Sequence, residues 1–428
     1  MAPKKILGSR DNPVRALVLD DDPGFAEECA EHIEEGAKNA RVTVKATPVH
    51  GKALGIFVDE LYERSANFRG SNNHCEDPAS LDDCDLLVID SDLRSAEEAG
   101  LVSGTDLAYS ARCFTNVGCI VVLNASGTNP FDLTMLGHRR SFADVNLGSE
   151  QLENVGLWSL DHSLSFRPWE WPLLHLEATR LRERVAWLRE GRLDQPISEL
   201  FGLEGSELEA IPRSMAAFLT AARDQKKTPK PLPEITPVEF LLSSEYGLLR
   251  HDAEAIEQGG KNQRTVLART AAARLAKWLS LVSAGQDILV DAPHLASGFP
   301  STVTGNAIAD FNRTTSLEAV GENSSLEQLG LDPSSQPLLD HRFDGGPWSD
   351  RPLWWGQRLG RSDLPEAQKP WEFEAPGFFF CEDVSRFLDE EEEPKRFACD
   401  LDTPYRIRYV AQLDEAVTYR PRVNLITD

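Results

Sequence analysis

The amino-acid sequence predicts an α/β fold, in which an N-terminal doubly wound parallel sheet precedes a mixed α+β C-terminal region. Short apolar segments typical of buried strands recur through the first 124 residues, and amphipathic helical patterns lie between them. Strands that alternate with helices form a parallel sheet covered on both faces. Beyond about residue 160 this alternation stops, and Pro- and Trp-rich stretches and longer helical patterns follow.

The predicted strands of the N-terminal region are apolar runs bounded by polar or acidic residues. A helix over residues 24–38 follows the first strand, because Phe25, Cys29 and Ile33 recur at helical spacing. A second helix, over residues 104–114, separates the last two strands. The predicted strands comprise residues 14–20, 41–46, 85–90 and 118–124.

The composition indicates a folded and strongly acidic protein. Of the 428 residues, 41% are hydrophobic and 8% aromatic, and the formal net charge is -25. This charge repels a phosphate backbone and disfavours nucleic acid as a partner. No apolar stretch is long enough to span a bilayer, so we expect a cytoplasmic protein without a membrane partner. The seven cysteines form no CxxC pair and are expected to be reduced thiols.

Changes in composition along the chain predict three units. They are a first domain over residues 13–160, a helical connector over residues 166–223 and a C-terminal domain over residues 238–428. Residues 224–237 are rich in Pro and Lys, and we interpret them as the linker before the last unit.

The connector contains a strong helical pattern that ends at Gly191. Its residues Leu174, Leu181 and Leu188 recur at every seventh position. This spacing allows a homodimer seam, but three repeats are the minimum for a coiled coil, and an ordinary helix that faces the core of its own chain explains them. The core-facing interpretation is favoured over the homodimer.

The C-terminal region contains a candidate site at the end of a predicted strand. An Ala- and Leu-rich amphipathic helix over residues 262–285 precedes this strand, which covers residues 287–293. Asp291 and His294 lie at its end, where an acid and an imidazole can perform acid–base or metal chemistry. No GxSxG motif and no second paired histidine motif accompanies them, so capping and loop-fixing roles are the favoured alternative.

The most specific chemical motif of the sequence is acidic. Asp20, Asp21 and Asp22 follow the first predicted strand, and Asp90 ends the third. The carboxyl ends of parallel strands share one crevice, so these carboxylates are expected to lie together. Such a group repels itself unless a proton or a divalent cation neutralises it, and hard oxygen ligands suit Mg²⁺. The motif therefore predicts a metal-assisted phosphate site.

Two segments carry a resemblance to a known family. LVLDDDP at residues 17–23 resembles the acidic first-strand motif of the receiver domains of bacterial response regulators, and DLLVIDSDL at residues 85–93 resembles their phosphoacceptor strand. The resemblance covers about residues 13–160. It implies a flavodoxin-like receiver fold with the strand order 2-1-3-4-5.

The resemblance also implies a role for each acid. Asp20 and Asp21 would hold Mg²⁺, and Asp90 would be both a metal ligand and the phosphoacceptor. The backbone carbonyl of Asp92 would complete the metal site.

Two positions depart from the receiver pattern. The fourth strand of the family carries a Ser or Thr whose hydroxyl meets the phosphoryl group, and Asn124 stands at this switch position. The fifth strand of the family ends in a Lys that pairs with the phosphoryl oxygens, whereas residues 141–152 contain no Lys. Arg139 and Arg140 are the candidate substitutes. Both departures weaken the acceptor and its readout.

The favoured hypothesis is an atypical response-regulator-like signalling or scaffold protein, not an enzyme, that acts through protein–protein contacts. Its predicted partner is a histidine kinase or a multi-protein complex, and its receiver-like domain is a poor or absent phosphoacceptor. The alternative is a receiver-controlled effector enzyme with an unrecognised C-terminal catalytic domain. A role in a bacterial defence system is a further, minor alternative that follows from fold-level analogy.

Overall fold

The computed structural model describes most of the chain between residues 7 and 411. None of the described helices is long and apolar enough to cross a membrane. The described ranges are 7–70, 80–93, 103–123, 133, 135–159, 166–224, 230–258, 262–286, 288–316, 324–359, 377–392, 394–396 and 409–411.

A five-stranded parallel sheet in the order β2-β1-β3-β4-β5 organises the N-terminal part. The predicted α/β class and strand order are confirmed. β2 begins three residues later than predicted, and Pro48 fits there because β2 is an edge strand that leaves one row of backbone groups unpaired. The strands are β1 (Val14–Leu19), β2 (Val44–Val49), β3 (Leu86–Asp90), β4 (Cys119–Leu123) and β5 (Val145–Leu147).

Helices cover both faces of this sheet. On one face, α1 (Pro23–Asn39) and α4 (Leu174–Arg189) bury their apolar sides against alternate strand residues. On the other face lie α2 (Gly51–Arg69) and α3 (Gly104–Phe114). The alternation of side chains along each strand supplies both apolar surfaces, so the sheet is buried on both sides.

Helix α4, which belongs to the predicted connector, is an integral part of the packing on this sheet. α4 ends close to Gly191, whose φ of 94° lies in the left-handed region that favours glycine, as the sequence predicted. Leu174, Leu181 and Leu188 are at most 2% exposed, because they pack inside the chain. The core-facing interpretation of the seven-residue repeat is therefore confirmed.

The C-terminal region is mixed α+β, as predicted. β6 (Leu289–Asp291) pairs antiparallel with β7 (Leu353–Trp355), and a second sheet has the order β10-β11-β8-β9. Its strands are β8 (Phe378–Cys381), β9 (Arg386–Asp389), β10 (Lys395–Arg396) and β11 (Tyr409–Val410). The described helices are α5 (Ile197–Leu200), α6 (Ser206–Ala210), α7 (Arg213–Thr220), α8 (Pro237–Ser243), α9 (Arg250–Glu257), α10 (Gln263–Gln286), α11 (Ala292–Gly298), α12 (Ile308–Asn312), α13 (Gln336–Asp340) and α14 (Gly356–Leu359).

The long helix α10 joins the C-terminal region to the parallel sheet. It packs against α3 and α4. The buried guanidinium of Arg274 donates to the carbonyl oxygens of Arg139 (2.7 Å) and Ser141 (2.8 Å), which precede β5. The same guanidinium lies 4.7 Å from the ring centre of Phe142 and 4.8 Å from that of Phe218. A cation between two rings and bonded to carbonyls fastens the helix to the segment that leads into β5.

One apolar core therefore extends across the predicted units. Phe68, Tyr109, Phe114 and Phe142 from the N-terminal part belong to the same cluster as the buried residues of α7, α8 and α10. The boundaries at residues 13–160, 166–223 and 238–428 stay a prediction, and the shared core provides a way to test them.

We expect a fragment that ends at residue 160 not to fold on its own. It lacks α4 and α10, so the part of the sheet face that α4 covers and the cluster around Tyr109 and Phe142 are exposed to water. A circular dichroism melt of the fragment should show no cooperative transition, and size-exclusion chromatography should show that the fragment aggregates. The full chain should melt cooperatively. A cooperative melt of the fragment would instead establish residues 13–160 as an independent domain.

Candidate functional site

The acidic residues predicted to converge lie together at the carboxyl edge of the sheet. β1 and β3 are parallel neighbours, with Leu19 opposite Ile89, so the residues that follow them emerge side by side. Each of Asp20, Asp21 and Asp90 offers a carboxylate oxygen, and these oxygens lie within 4.8 Å of one another. We call these three residues the acidic cluster.

Local hydrogen bonds give the consecutive aspartates different roles. Asp22 caps α1, because its Oδ1 accepts from the backbone N–H of Gly24 (2.8 Å) and of Phe25 (3.2 Å). The backbone N–H of Asp22 donates to Asp20 Oδ1 at 2.8 Å, which holds Asp20 in the crevice. Asp21 Oδ2 is buried and has no hydrogen-bond partner among the described residues. Asp22 is thus structural, while Asp21 presents a free acceptor atom.

Burial and mutual repulsion make the acidic cluster costly to ionise. Asp20 is 3% exposed, and burial, with the nearby charges of Asp90 and Asp21, raises its pKa to about 7. Burial likewise raises the pKa of Asp90, although hydrogen bonds from the backbone of Asp92 and Ser91 oppose that shift. None of the three acids forms an ion pair within the part of the chain that the structure describes.

These properties fit a divalent cation. The cluster offers hard oxygen ligands with an unpartnered Asp21 Oδ2 and lacks a positive side chain of its own among the described residues. A bound Mg²⁺ would replace the proton that Asp20 otherwise holds near neutral pH.

The other predicted members of the site differ in what the structure says of them. Asp92 lies beside the cluster, because its backbone N–H donates to Asp90 Oδ2 at 3.2 Å. Asn124, the predicted switch position, lies outside the described residues. Arg139 donates to the hydroxyl of Tyr246 at 3.3 Å, and Arg140 lies 3.9 Å from a carboxylate oxygen of Glu245. Both arginines thus contact the C-terminal region.

The first residue of α3 is a site feature that the motifs did not reveal. The N–H of Gly104 donates to the carbonyl of Ser91 at 3.1 Å. A Cβ atom at Gly104 would lie 1.9 Å from the carbonyl oxygen of Asp90, so only glycine permits this approach. Sequence patterns locate the helix, but the backbone that it touches is decided by tertiary packing.

Comparison of the chain with protein-family models, with curated proteins and with solved structures found no match. The resemblance to response-regulator receivers therefore depends on the two acidic segments. The strand order and the geometry of the acidic cluster are consistent with it.

The C-terminal candidates Asp291 and His294 also lie together, but in a closed arrangement. Nδ1 of His294 lies 2.5 Å from Asp291 Oδ1, and its Nε2 lies 3.1 Å from Glu382 Oε1. Asp291 caps α11 and also accepts a hydrogen bond from Trp169 Nε1 at 2.7 Å. All three titratable side chains are at most 3% exposed.

Both ring nitrogens of His294 thus face carboxylates, which leaves neither of them for a substrate or a nucleophile. The arrangement supports the capping and loop-fixing role. Sequence reasoning missed Glu382 and Trp169, because they lie 88 and 122 positions from the residues that they contact.

The described cysteines are free, as predicted, and they are also buried. Burial raises the pKa of Cys29, Cys84 and Cys113 to about 12. These thiols therefore stay protonated and unreactive near neutral pH.

The pKa of Asp20 predicts how stability depends on pH. In the unfolded chain Asp20 ionises near its ordinary pKa of 3.8, but in the fold only near 7. The contribution of Asp20 to the stability of the cation-free protein therefore becomes less favourable as the pH rises from about 4 to about 7. Asn carries no charge, so Asp20→Asn should be more stable than wild type at pH 8 by at least about 1 kcal/mol, with a smaller gain at pH 5. Urea unfolding with a chelator measures both, and equal gains would exclude the Asp20 charge as the cause.

Replacing His294 tests the closed arrangement. His294→Ala removes the ring that bridges two buried carboxylates, and losing one partner of a buried ionic group costs about 3–5 kcal/mol. His294→Gln keeps an amide donor and should lose less. The free energy of unfolding in urea provides the measurement. A loss for His294→Ala below about 1 kcal/mol, within the range of ordinary surface substitutions, would contradict the structural role.

Proposed function

We propose that the protein is a receiver-like signalling protein whose acidic cluster binds Mg²⁺ and which acts through contacts with other proteins. The convergence of Asp20, Asp21 and Asp90 at the carboxyl edge of a parallel sheet carries the proposal. This edge is where ligands bind in open α/β sheets. The proposed fold of this part is the flavodoxin-like receiver.

In this proposal the residues of the cluster have distinct tasks. Asp20 and Asp21 hold the cation, and Asp90 is both a ligand and the candidate phosphoacceptor. The backbone carbonyl of Asp92 is the proposed additional ligand. A bound cation would neutralise the charge that develops on a phosphoryl group and lower the repulsion between that group and the carboxylates.

The proposed phosphoacceptor is weak, because the groups that normally report a phosphoryl group are missing. Asn124 replaces the switch hydroxyl, and residues 141–152 provide no Lys. Arg139 and Arg140 contact Tyr246 and Glu245, which are in the C-terminal region. A modification that makes no differential contact cannot shift a conformational equilibrium. Contact with a partner should therefore depend little on phosphorylation.

The proposed partner is a protein, either a histidine kinase or a component of a multi-protein complex. The net charge of -25 disfavours a nucleic-acid role. The alternative of an effector enzyme gains nothing from Asp291 and His294, because the imidazole is enclosed between Asp291 and Glu382.

Isothermal titration with Mg²⁺ tests the cation site. Wild type should bind one ion per chain, and Asp90→Asn should weaken binding at least about tenfold, or about 1.4 kcal/mol, because a ligand is lost. Asp83→Asn is the matched control, since the Asp83 side chain is 78% exposed and ends near Arg15, away from the cluster. It should leave binding unchanged. Absence of saturable binding, or equal loss in both variants, would contradict the proposal.

The same proteins, incubated with a small phosphodonor and Mg²⁺, distinguish the roles of Asp90. Intact-mass measurement should show slow, partial addition of one phosphoryl group to wild type and none to Asp90→Asn. A wild type that binds Mg²⁺ but is never modified would limit Asp90 to the role of a metal ligand.

A further inference from the structure

Helix α3 begins directly against the backbone of the acidic cluster. Gly104 bonds to the carbonyl of Ser91, and its Cα lies so close to Asp90 that a Cβ would clash with the Asp90 carbonyl oxygen. The start of α3 and the backbone of Asp90 therefore cannot shift independently.

The same helix is fastened to the C-terminal region five residues later. The hydroxyl of Tyr109 donates to Asp252 Oδ2 at 2.6 Å and accepts from the backbone N–H of Leu249 at 3.1 Å. Five residues of α-helix span about 7.5 Å. One rigid turn and a half of helix thus separates the contact with Asp90 from the contact with Asp252.

Asp252 of α9 binds residues of both α2 and α3, the two helices that cover one face of the sheet. Its side chain is completely buried. In addition to Tyr109, it accepts hydrogen bonds from Nε (2.6 Å) and Nη2 (3.2 Å) of Arg69, the last residue of α2. A buried carboxylate with a cationic partner and a phenol donor holds a defined geometry. The loss of either partner would leave part of the carboxylate charge uncompensated.

Tyr109 is well suited to keep donating. Burial, together with the charges of Cys113 and Asp252, raises the pKa of Tyr109, so its hydroxyl stays protonated. The hydroxyl of Tyr109 therefore remains available as a donor to Asp252.

We infer that Tyr109 and Asp252 are positioning residues for the acidic cluster, so that cation binding there and the docking of α9 stabilise each other. The inference rests on the proposed cation function of that cluster. In this inference α3 connects the acidic cluster to α9. It does so in place of the switch hydroxyl and the Lys of the receiver pattern, which the fourth and fifth strands of this sequence lack. Coupling between two equilibria is reciprocal. Docking of α9 should therefore strengthen Mg²⁺ binding by the same factor by which Mg²⁺ strengthens the docking of α9.

The chain offers a matched control for this connection. Tyr246 also links the two regions through its hydroxyl, which accepts from Arg139, but this contact does not involve α3. Tyr109→Phe and Tyr246→Phe therefore each remove one hydroxyl from the same interface, and only the first removes it from α3.

The experiment combines Mg²⁺ titration with amide hydrogen exchange in the full chain. Tyr109→Phe should weaken Mg²⁺ binding about threefold to tenfold, a typical coupling range, whereas Tyr246→Phe should stay within about twofold of wild type. Mg²⁺ should slow exchange over α9 in wild type and in Tyr246→Phe but not in Tyr109→Phe. The β8 and β9 hairpin serves as the reference for any global stabilisation. A purely structural role of Tyr109 would not change how α9 responds to the ion.

The outcomes separate the inference from the function on which it rests. A wild type that does not bind Mg²⁺ overturns the cation site, and the coupling with it. A wild type that binds Mg²⁺ while α9 exchange does not respond overturns the coupling alone, and this result needs no variant to fold. Equal Mg²⁺ affinity of wild type and a folded Tyr109→Phe likewise overturns the coupling alone.

Discussion

The buried guanidinium of Arg274 fastens the C-terminal helix α10 to the segment that leads into β5, and the position of the C-terminal helices on the sheet depends on contacts of this kind. It binds the carbonyls of Arg139 and Ser141 from α10 and lies between two aromatic rings. Burial lowers its pKa to about 9, yet the carbonyl and ring contacts compensate a charge that solvent no longer reaches. Because α10 also packs on α3 and α4, this cation and the neighbouring Lys277, which donates to the carbonyls of His138 and Ser141, help to join the parallel sheet and the C-terminal helices.

Three groups of buried carboxylates show how the protein handles negative charge. Asp252 has Arg69 and Tyr109, and the carboxylates of Asp291 and Glu382 have His294 between them. The acidic cluster at residues 20, 21 and 90 has no such partner among the described residues, and the pKa of Asp20 rises to about 7. The first two groups have hydrogen-bond partners within the chain. The third is therefore the one at which the proposed cation would compensate negative charge.

Much of the N-terminal part could be predicted from residue patterns. Four strands and the helices α1 and α3 follow from apolar periodicity, and the convergence of Asp20, Asp21 and Asp90 follows from parallel topology. The predicted start of β2 is three residues too early, because Val42 alternates with Val44 in the sequence although the strand begins only at Val44. Helix α2 has Leu54, Val58 and Leu61 at helical spacing, but no side-chain cap and no acidic residue in the first turn marks its start.

The sequence by itself determined local structure and the chemistry at strand ends, because both depend on neighbouring residues and on the rule that parallel strands end at one edge. The sequence also indicated that Leu181 faces the interior of the chain. It did not indicate that Leu181 packs in the core that the sheet helices share with the C-terminal helices. Only the tertiary structure decided that Gly104 lies against Asp90, that Tyr109 meets Asp252 and that Glu382 encloses His294. These contacts join residues brought together by the packing of several helices and sheets, and that packing is a property of the whole chain that no local pattern encodes.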